Sequence, residues 1–180
     1  MMGGEGKPIV VYALSTANTT AVGKIVLNNG MVVSNTASLS TAMKEMAIAV
    51  IFYKGTGLNN SGYSQRILGI GLNKTKGPLF KDGADGIGTT LGTAVSKSVI
   101  DGNITFTGTL DGSGNSNIIK NAVSDWSNRQ TYYPALYYAE NYKTVEGSHV
   151  SGTDYENGWY IPSIAELYQL YNNVRISTTI

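Results

Sequence analysis

The chain has 180 residues and a mass of 19.1 kDa, enough for one buried core and short of what two large domains need. Charged residues make up 14% of it, against roughly 25% in an ordinary globular protein, and 13 basic residues face 12 acidic ones. That balance excludes the basic footprint of a nucleic-acid binder, and the lack of any Cys excludes thiol catalysis and disulfides.

Residues 1–20 open on Gly3, Gly4 and Gly6 and close on Ser15-Thr16-Ala17-Asn18-Thr19-Thr20, a composition that buries little and predicts a flexible arm or linker. Within it, Ile9 to Leu14 is too short and too close to Pro8 for a signal h-region, and reads as an extended segment leading into the domain. The domain proper is assigned to residues 21–180. Ile25-Val26-Leu27 and Met31-Val32-Val33 flank Asn29-Gly30, which predicts a hairpin with a type I′ turn. Ser38 or Ser40 can cap a short helix over residues 41–46, and the apolar, β-branched run over residues 47–53 predicts a buried central strand. The longest apolar run, residues 46–53, falls far short of the roughly 20 residues of a membrane span.

Arg66-Ile67-Leu68-Gly69-Ile70-Gly71-Leu72 alternates as a strand and is expected to pair antiparallel with the central one. Residues 73–114 are mostly turn formers, with strand-sized apolar content only at residues 95–100 and 104–106. A helix capped by Ser116 is predicted to carry Ile118, Ile119, Ala122, Val123 and Trp126 on one face. Pro134 suits the first turn of the next helix, over residues 135–140. The clearest helix start is Ser163-Ile164-Ala165-Glu166, a capping box in which the serine hydroxyl and the glutamate carboxylate each accept from the other residue's backbone N–H. Ile164, Leu167, Tyr168 and Tyr171 are expected to form the buried face of that helix, and replacing Glu166 by Ala should cost about 1 kcal/mol.

Catalytic groups are sparse. His149 is the only histidine, no serine lies in a G-x-S-x-G elbow, and nitrogen or sulfur ligation of a metal needs more donors than this chain has. The Asp82-Gly83, Asp85-Gly86, Asp101-Gly102 and Asp111-Gly112 pairs share the composition of calcium loops without the EF-hand spacing, and read first as turns; no metal or cofactor is expected. Nine of the 12 tyrosines lie between Tyr132 and Tyr171, together with Trp159. Such amphipathic rings serve either a low-charge recognition surface or the core, and the recognition alternative nominates Tyr132, Tyr133, Tyr142, Tyr155 and Trp159 as ligand contacts.

Gly158-Trp159-Tyr160-Ile161-Pro162-Ser163-Ile164-Ala165-Glu166-Leu167 resembles the G-[WY]-x-[LI]-P-[ST]-x-x-E-[LFW] signature shared by the formylglycine-generating (sulfatase-modifying) enzymes and by bacterial domains of unknown function with the same C-type-lectin-like fold. The likeness runs from about Val22 to Asn173 and extends to retroelement-variable surface proteins, which use this fold as a ligand-binding platform. It implies an α+β domain of short antiparallel strands with two to four helices, in which Gly158, Trp159, Pro162, Ser163 and Glu166 are structural. The cysteines of the formylglycine-generating enzymes have no counterpart here, so their chemistry does not transfer. The implied role is a non-catalytic ligand-binding or adhesion module of a bacterial cell-surface or secreted protein, meeting an extracellular protein or glycan. A degenerate enzyme relative and a purely structural domain are the alternatives, and a cytoplasmic location stays open. Relatives continue beyond the capped helix into further strands, which implies that this chain is a fragment, with an unpaired sheet edge available for self-association.

Overall fold

The computed structural model describes residues 11–14, 21–34, 39–58, 66–73, 95–100, 103–108, 110–122 and 129–173. In chain order the strands are β1 (Val11–Leu14), β2 (Ile25–Leu27), β3 (Val32–Val33), β4 (Ala47–Gly55), β5 (Arg66–Gly71), β6 (Val95–Ile100) and β7 (Asn103–Gly108). The helices are α1 (Thr41–Met46), α2 (Gly112–Ala122), α3 (Arg129–Tyr132), α4 (Pro134–Glu140) and α5 (Ile164–Asn173), with a 3-10 turn at Tyr142–Thr144. The architecture is mixed α/β. One antiparallel sheet has the order β1-β5-β4-β2-β3, and β6 pairs with β7 separately.

The apolar run over residues 47–53 explains the position of β4. Residues 47–52 are all buried, because β4 lies between β2 and β5 and is covered on both faces. On one face Ile48 and Ile51 pack with Val26, Ile67, Ala139, Tyr142, Val150 and Trp159. On the other, Ala47 and Val50 pack with Ile25 and Leu27, against the half-buried Met43 and Met46 of α1. The β4–β5 register slips between Ile51 and Tyr53, leaving Phe52 as the extra residue of a bulge. The Phe52 side chain enters a third cluster with Leu68, Tyr160, Ala165 and Leu170, and its carbonyl accepts from Asn173 Nδ2 at 3.2 Å, tying the end of α5 to the bulge.

Several expectations meet local differences. Val11–Leu14, within the stretch read as an arm, pairs with β5 as the sheet's edge, Val11 opposite Ile70 and Leu14 opposite Ile67. The β2–β3 hairpin forms, but not on a type I′ turn. Gly30 alone has positive φ, at +85°; Gly30 N–H donates to Leu27 O at 2.9 Å and Leu27 N–H to Met31 O at 2.8 Å. This is a three-residue connection ending in a bulge glycine, with Asn29 Oδ1 accepting from Met31 N–H at 3.1 Å. Ser40 caps α1 through Met43 N–H, and Pro134 opens α4, both as the sequence predicts.

The helix predicted to be capped by Ser116 is capped five residues earlier, by Asp111: Oδ1 accepts from Ser113 N–H at 2.8 Å and from Ser113 Oγ at 2.6 Å. Ser116 instead donates its hydroxyl to Gly112 O at 2.9 Å inside the helix. Val123 and Trp126, expected on that helix, and the Asp82, Asp85 and Asp101 turns lie outside the described residues. The predicted face of α5 is also corrected. Ile164 and Tyr171 are 56% and 81% exposed, while Ala165, Glu166 and Leu170 are buried. Among the described residues no helix is long and apolar enough to cross a membrane.

Candidate functional site

The capping box forms and carries more than a helix end. Ser163 N–H donates to Glu166 Oε2 at 2.7 Å, and Glu166 N–H to Ser163 Oγ at 3.2 Å. The same carboxylate accepts Gly112 N–H on Oε2 at 3.1 Å and the Tyr160 hydroxyl on Oε1 at 3.0 Å. Glu166 thus joins the start of α2, the 160–163 turn and α5, and it is fully buried. Burial pushes its carboxyl up to about 7; the donors on Ser163, Tyr160 and Gly112 pull the other way, and nearby Asp111 adds to the rise. Gly112 is required for this junction. A Cβ there would meet Glu166 Oε2 at 2.6 Å and Ser163 N at 2.7 Å, and would also strike the Ile161 carbonyl.

A second group of aromatic residues stands beside this junction. Tyr142 stacks at a tilt on Trp159 with ring centroids 4.5 Å apart, and meets Tyr138 edge-on at 5.9 Å. Trp159 Nε1 donates to Tyr155 O at 2.7 Å. The Tyr142 oxygen accepts Asn73 N–H at 2.9 Å, and burial pushes this phenol up to about 12. The 145–158 loop is shaped by left-handed residues at Gly147, His149, Gly152 and Gly158; His149 is exposed and, at φ 56°, is the one non-glycine with positive φ among the described residues. Lys143 holds the loop from the other side, its ammonium 2.7 Å from Glu156 Oε1 and 3.3 Å from Asn157 Oδ1. This bond, with Gly152 N–H on the other carboxylate oxygen, keeps Glu156 below the usual carboxylate range.

Between these two groups opens a cleft of about 500 Å³. One wall is the face of α2 that carries Ser113, Ser116, Asn117 and Lys120, spaced i, i+3, i+4 and i+7. Glu140, Asn141 and Lys143 line it from the other side of the Lys120–Glu140 pair, and residues 157–160 complete the lining. Lys120 is paired with Glu140 across the cleft at 3.3 Å.

The sequence-nominated ligand residues divide. Tyr133, Tyr142 and Trp159 are 2%, 0% and 4% exposed, so their rings serve the core and offer no open contact surface. Tyr132 and Tyr155 are half-buried and rest on the same clusters: Tyr132 on Ile119, Tyr133 and Leu136, and Tyr155 beside Trp159, with its hydroxyl over the hairpin glycine Gly30. Only Trp159 of the five lines the cleft. Gly158, exposed at φ +96°, lines it too; Pro162, Ser163 and Glu166 are buried beneath. The residues the sequence reading passed over are the polar row on α2 and Asn141, Lys143 and Asn157. A helix drawn from Asp111 in place of Ser116 would have aligned Ser113, Asn117 and Lys120 on one face. Among the described residues no group of His, Asp and Glu is arranged to hold a metal ion. Comparisons with protein-family models, with curated proteins and with solved structures find no match to this chain.

Proposed function

We propose that the chain is a non-catalytic recognition module of C-type-lectin-like type, belonging to a bacterial cell-surface or secreted protein, and that the cleft between α2 and the 157–160 segment is where it meets its ligand. The observation that carries this reading is the cleft's lining: hydroxyl and amide side chains with lysines compensated by Glu140 and Glu156, next to a buried carboxylate that ties the start of α2 to the 160–163 turn. Such a lining suits reversible binding by adaptable hydrogen bonds. The lectin-like part of the reading draws support from the Gly158 to Leu167 motif, in which Trp159 and Tyr160 are buried ahead of Pro162 and Ser163 and Glu166 form the capping box that starts α5. Self-association through the sheet edges, β1 and β3, belongs to the same proposal.

The test is binding of the full chain to arrayed glycans and extracellular-matrix proteins, followed by hydrogen exchange on the complex. Saturable binding that protects amides of residues 112–120 and 157–160 is the expected result. Protection confined to another face, or chemical conversion of an arrayed ligand, would overturn the reading.

A further inference from the structure

We infer that the cleft takes a short, neutral oligosaccharide; this rests on the proposed recognition role and specifies the chemistry of the ligand. Three observations restrict the class. The first is charge. Lys120 already lies 3.3 Å from Glu140, and Lys143 lies 2.7 Å from Glu156, so both ammonium groups of the lining are compensated by carboxylates. An anionic ligand would have to draw a lysine away from its partner and approach Glu140 while doing so, a poor exchange in a site open to water.

The second is the burial of the aromatic rings. Trp159 and Tyr160 reach the cleft with only 4% of their surface exposed, so neither ring offers an open face for the hydrophobic anchor of a peptide or a lipid. The third is the mixture of donors and acceptors. Ammonium groups donate, the Glu140 carboxylate accepts, and Asn117 can do both through its amide, while Asn141, whose Nδ2 already donates to Tyr137 O, presents its oxygen and Asn157, whose Oδ1 already accepts from Lys143, presents its Nδ2. A sugar hydroxyl also donates and accepts at one oxygen, so adjacent hydroxyls can bond to an ammonium and its carboxylate partner without separating them. The volume of about 500 Å³ is within the range of small-molecule sites, and an open, hydrogen-bonding site of this kind favours modest affinity gained through fast exchange.

The experiment is a solution titration of the full chain, followed by NMR chemical shifts and calorimetry, with three probe sets: neutral hexose and N-acetylhexosamine oligomers, the same oligomers ending in a uronic acid, and unstructured peptides. The expected result is binding of the neutral oligomers with shifts at residues 113–120 and 157–160. Asn117→Ala and Lys120→Ala, both at exposed positions, should each weaken it about tenfold while leaving the melting temperature in place. A preference for the acidic oligomers, or for peptides with shifts at these same residues, would overturn the neutral-sugar inference and leave the recognition role standing. Neutral-oligomer binding that neither variant weakens would remove it from the cleft. No response to any probe set would overturn both the inference and the reading on which it rests.

Discussion

Glu166 shows how one side chain can serve the local helix and the tertiary fold together. As a capping-box residue its removal should cost about 1 kcal/mol, but the buried carboxylate also satisfies Gly112 N–H and the Tyr160 hydroxyl. Glu166→Ala leaves those donors buried without an acceptor, so we expect a loss of about 3 kcal/mol in chemical denaturation. The raised carboxyl fixes a pH dependence with a definite sign. The folded chain holds this proton up to about 7, whereas the ordinary value is 4.5, so the folded state binds more protons between those limits. Stability contributed by the protonated carboxyl is therefore complete below about pH 4.5 and is lost as pH rises through 7, by about 3 kcal/mol. Glu166→Gln keeps an acceptor for the two backbone donors and presents its amide N–H to the Tyr160 oxygen. Denaturation midpoints of this variant should be nearly flat over the window in which those of the parent fall; a parallel fall in both would assign the slope to other groups.

At the scale of elements, the orientation of α5 follows from the same carboxylate. The pattern Ile164, Leu167, Tyr168, Tyr171 is a regular apolar stripe, yet with Glu166 buried against Gly112 and Tyr160 the helix packs Ala165 and Leu170 on the sheet, with Leu167 half-buried beside them, and Ile164 and Tyr171 face outward. Ile164→Ser and Tyr171→Ser are each expected to change stability by less than about 0.5 kcal/mol, whereas Leu170→Ala should cost about 2 kcal/mol, measured by the same denaturation series. The start of α2 offers a test in which two effects oppose each other. Helix propensity alone favours Ala over Gly by about 1 kcal/mol. At position 112 the added methyl would press on Glu166 Oε2, Ser163 N and the Ile161 carbonyl, of which two are backbone groups that cannot swing aside. We expect the clash to win, with Gly112→Ala lowering stability by about 2 kcal/mol. A variant that gains stability would show that the α2–α5 junction is looser than these distances imply.

For the molecule as a whole, the strand order makes β4 the most protected element, since both of its edges are paired and residues 47–52 are buried. Amide exchange should be slowest in β4 and in β5, which pairs with it along its full length, and fastest in the two-residue edge strand β3; slow exchange in β3 would mean that something covers that edge. The sheet was legible along the chain because its signals are local: the β-branched run of β4, the alternation of β5, the Asn-Gly turn beside β2 and the Ser40 and Ser163 caps each state a backbone preference within a few residues. The site was legible only in part. Trp159 and Gly158 were named from the motif, but the polar wall on α2 was not, because Asp111-Gly112-Ser113-Gly114 reads locally as a turn, and as a helix start it combines the Asp111 cap with Glu166, distant in sequence, which accepts Gly112 N–H. Likewise the sequence alone could identify the tyrosines as amphipathic but not say which way they face, since a ring that packs equally well in a core or on a surface is assigned by its neighbours. The amino-acid order by itself determined strands β2 to β5, the Ser40 and Ser163 caps and the absence of thiol chemistry, all properties of short stretches. Which rings are buried, how α5 is turned and where the cleft opens were decided by tertiary contacts, because burying a carboxylate requires donors from the start of α2 and from the 160–163 turn at once.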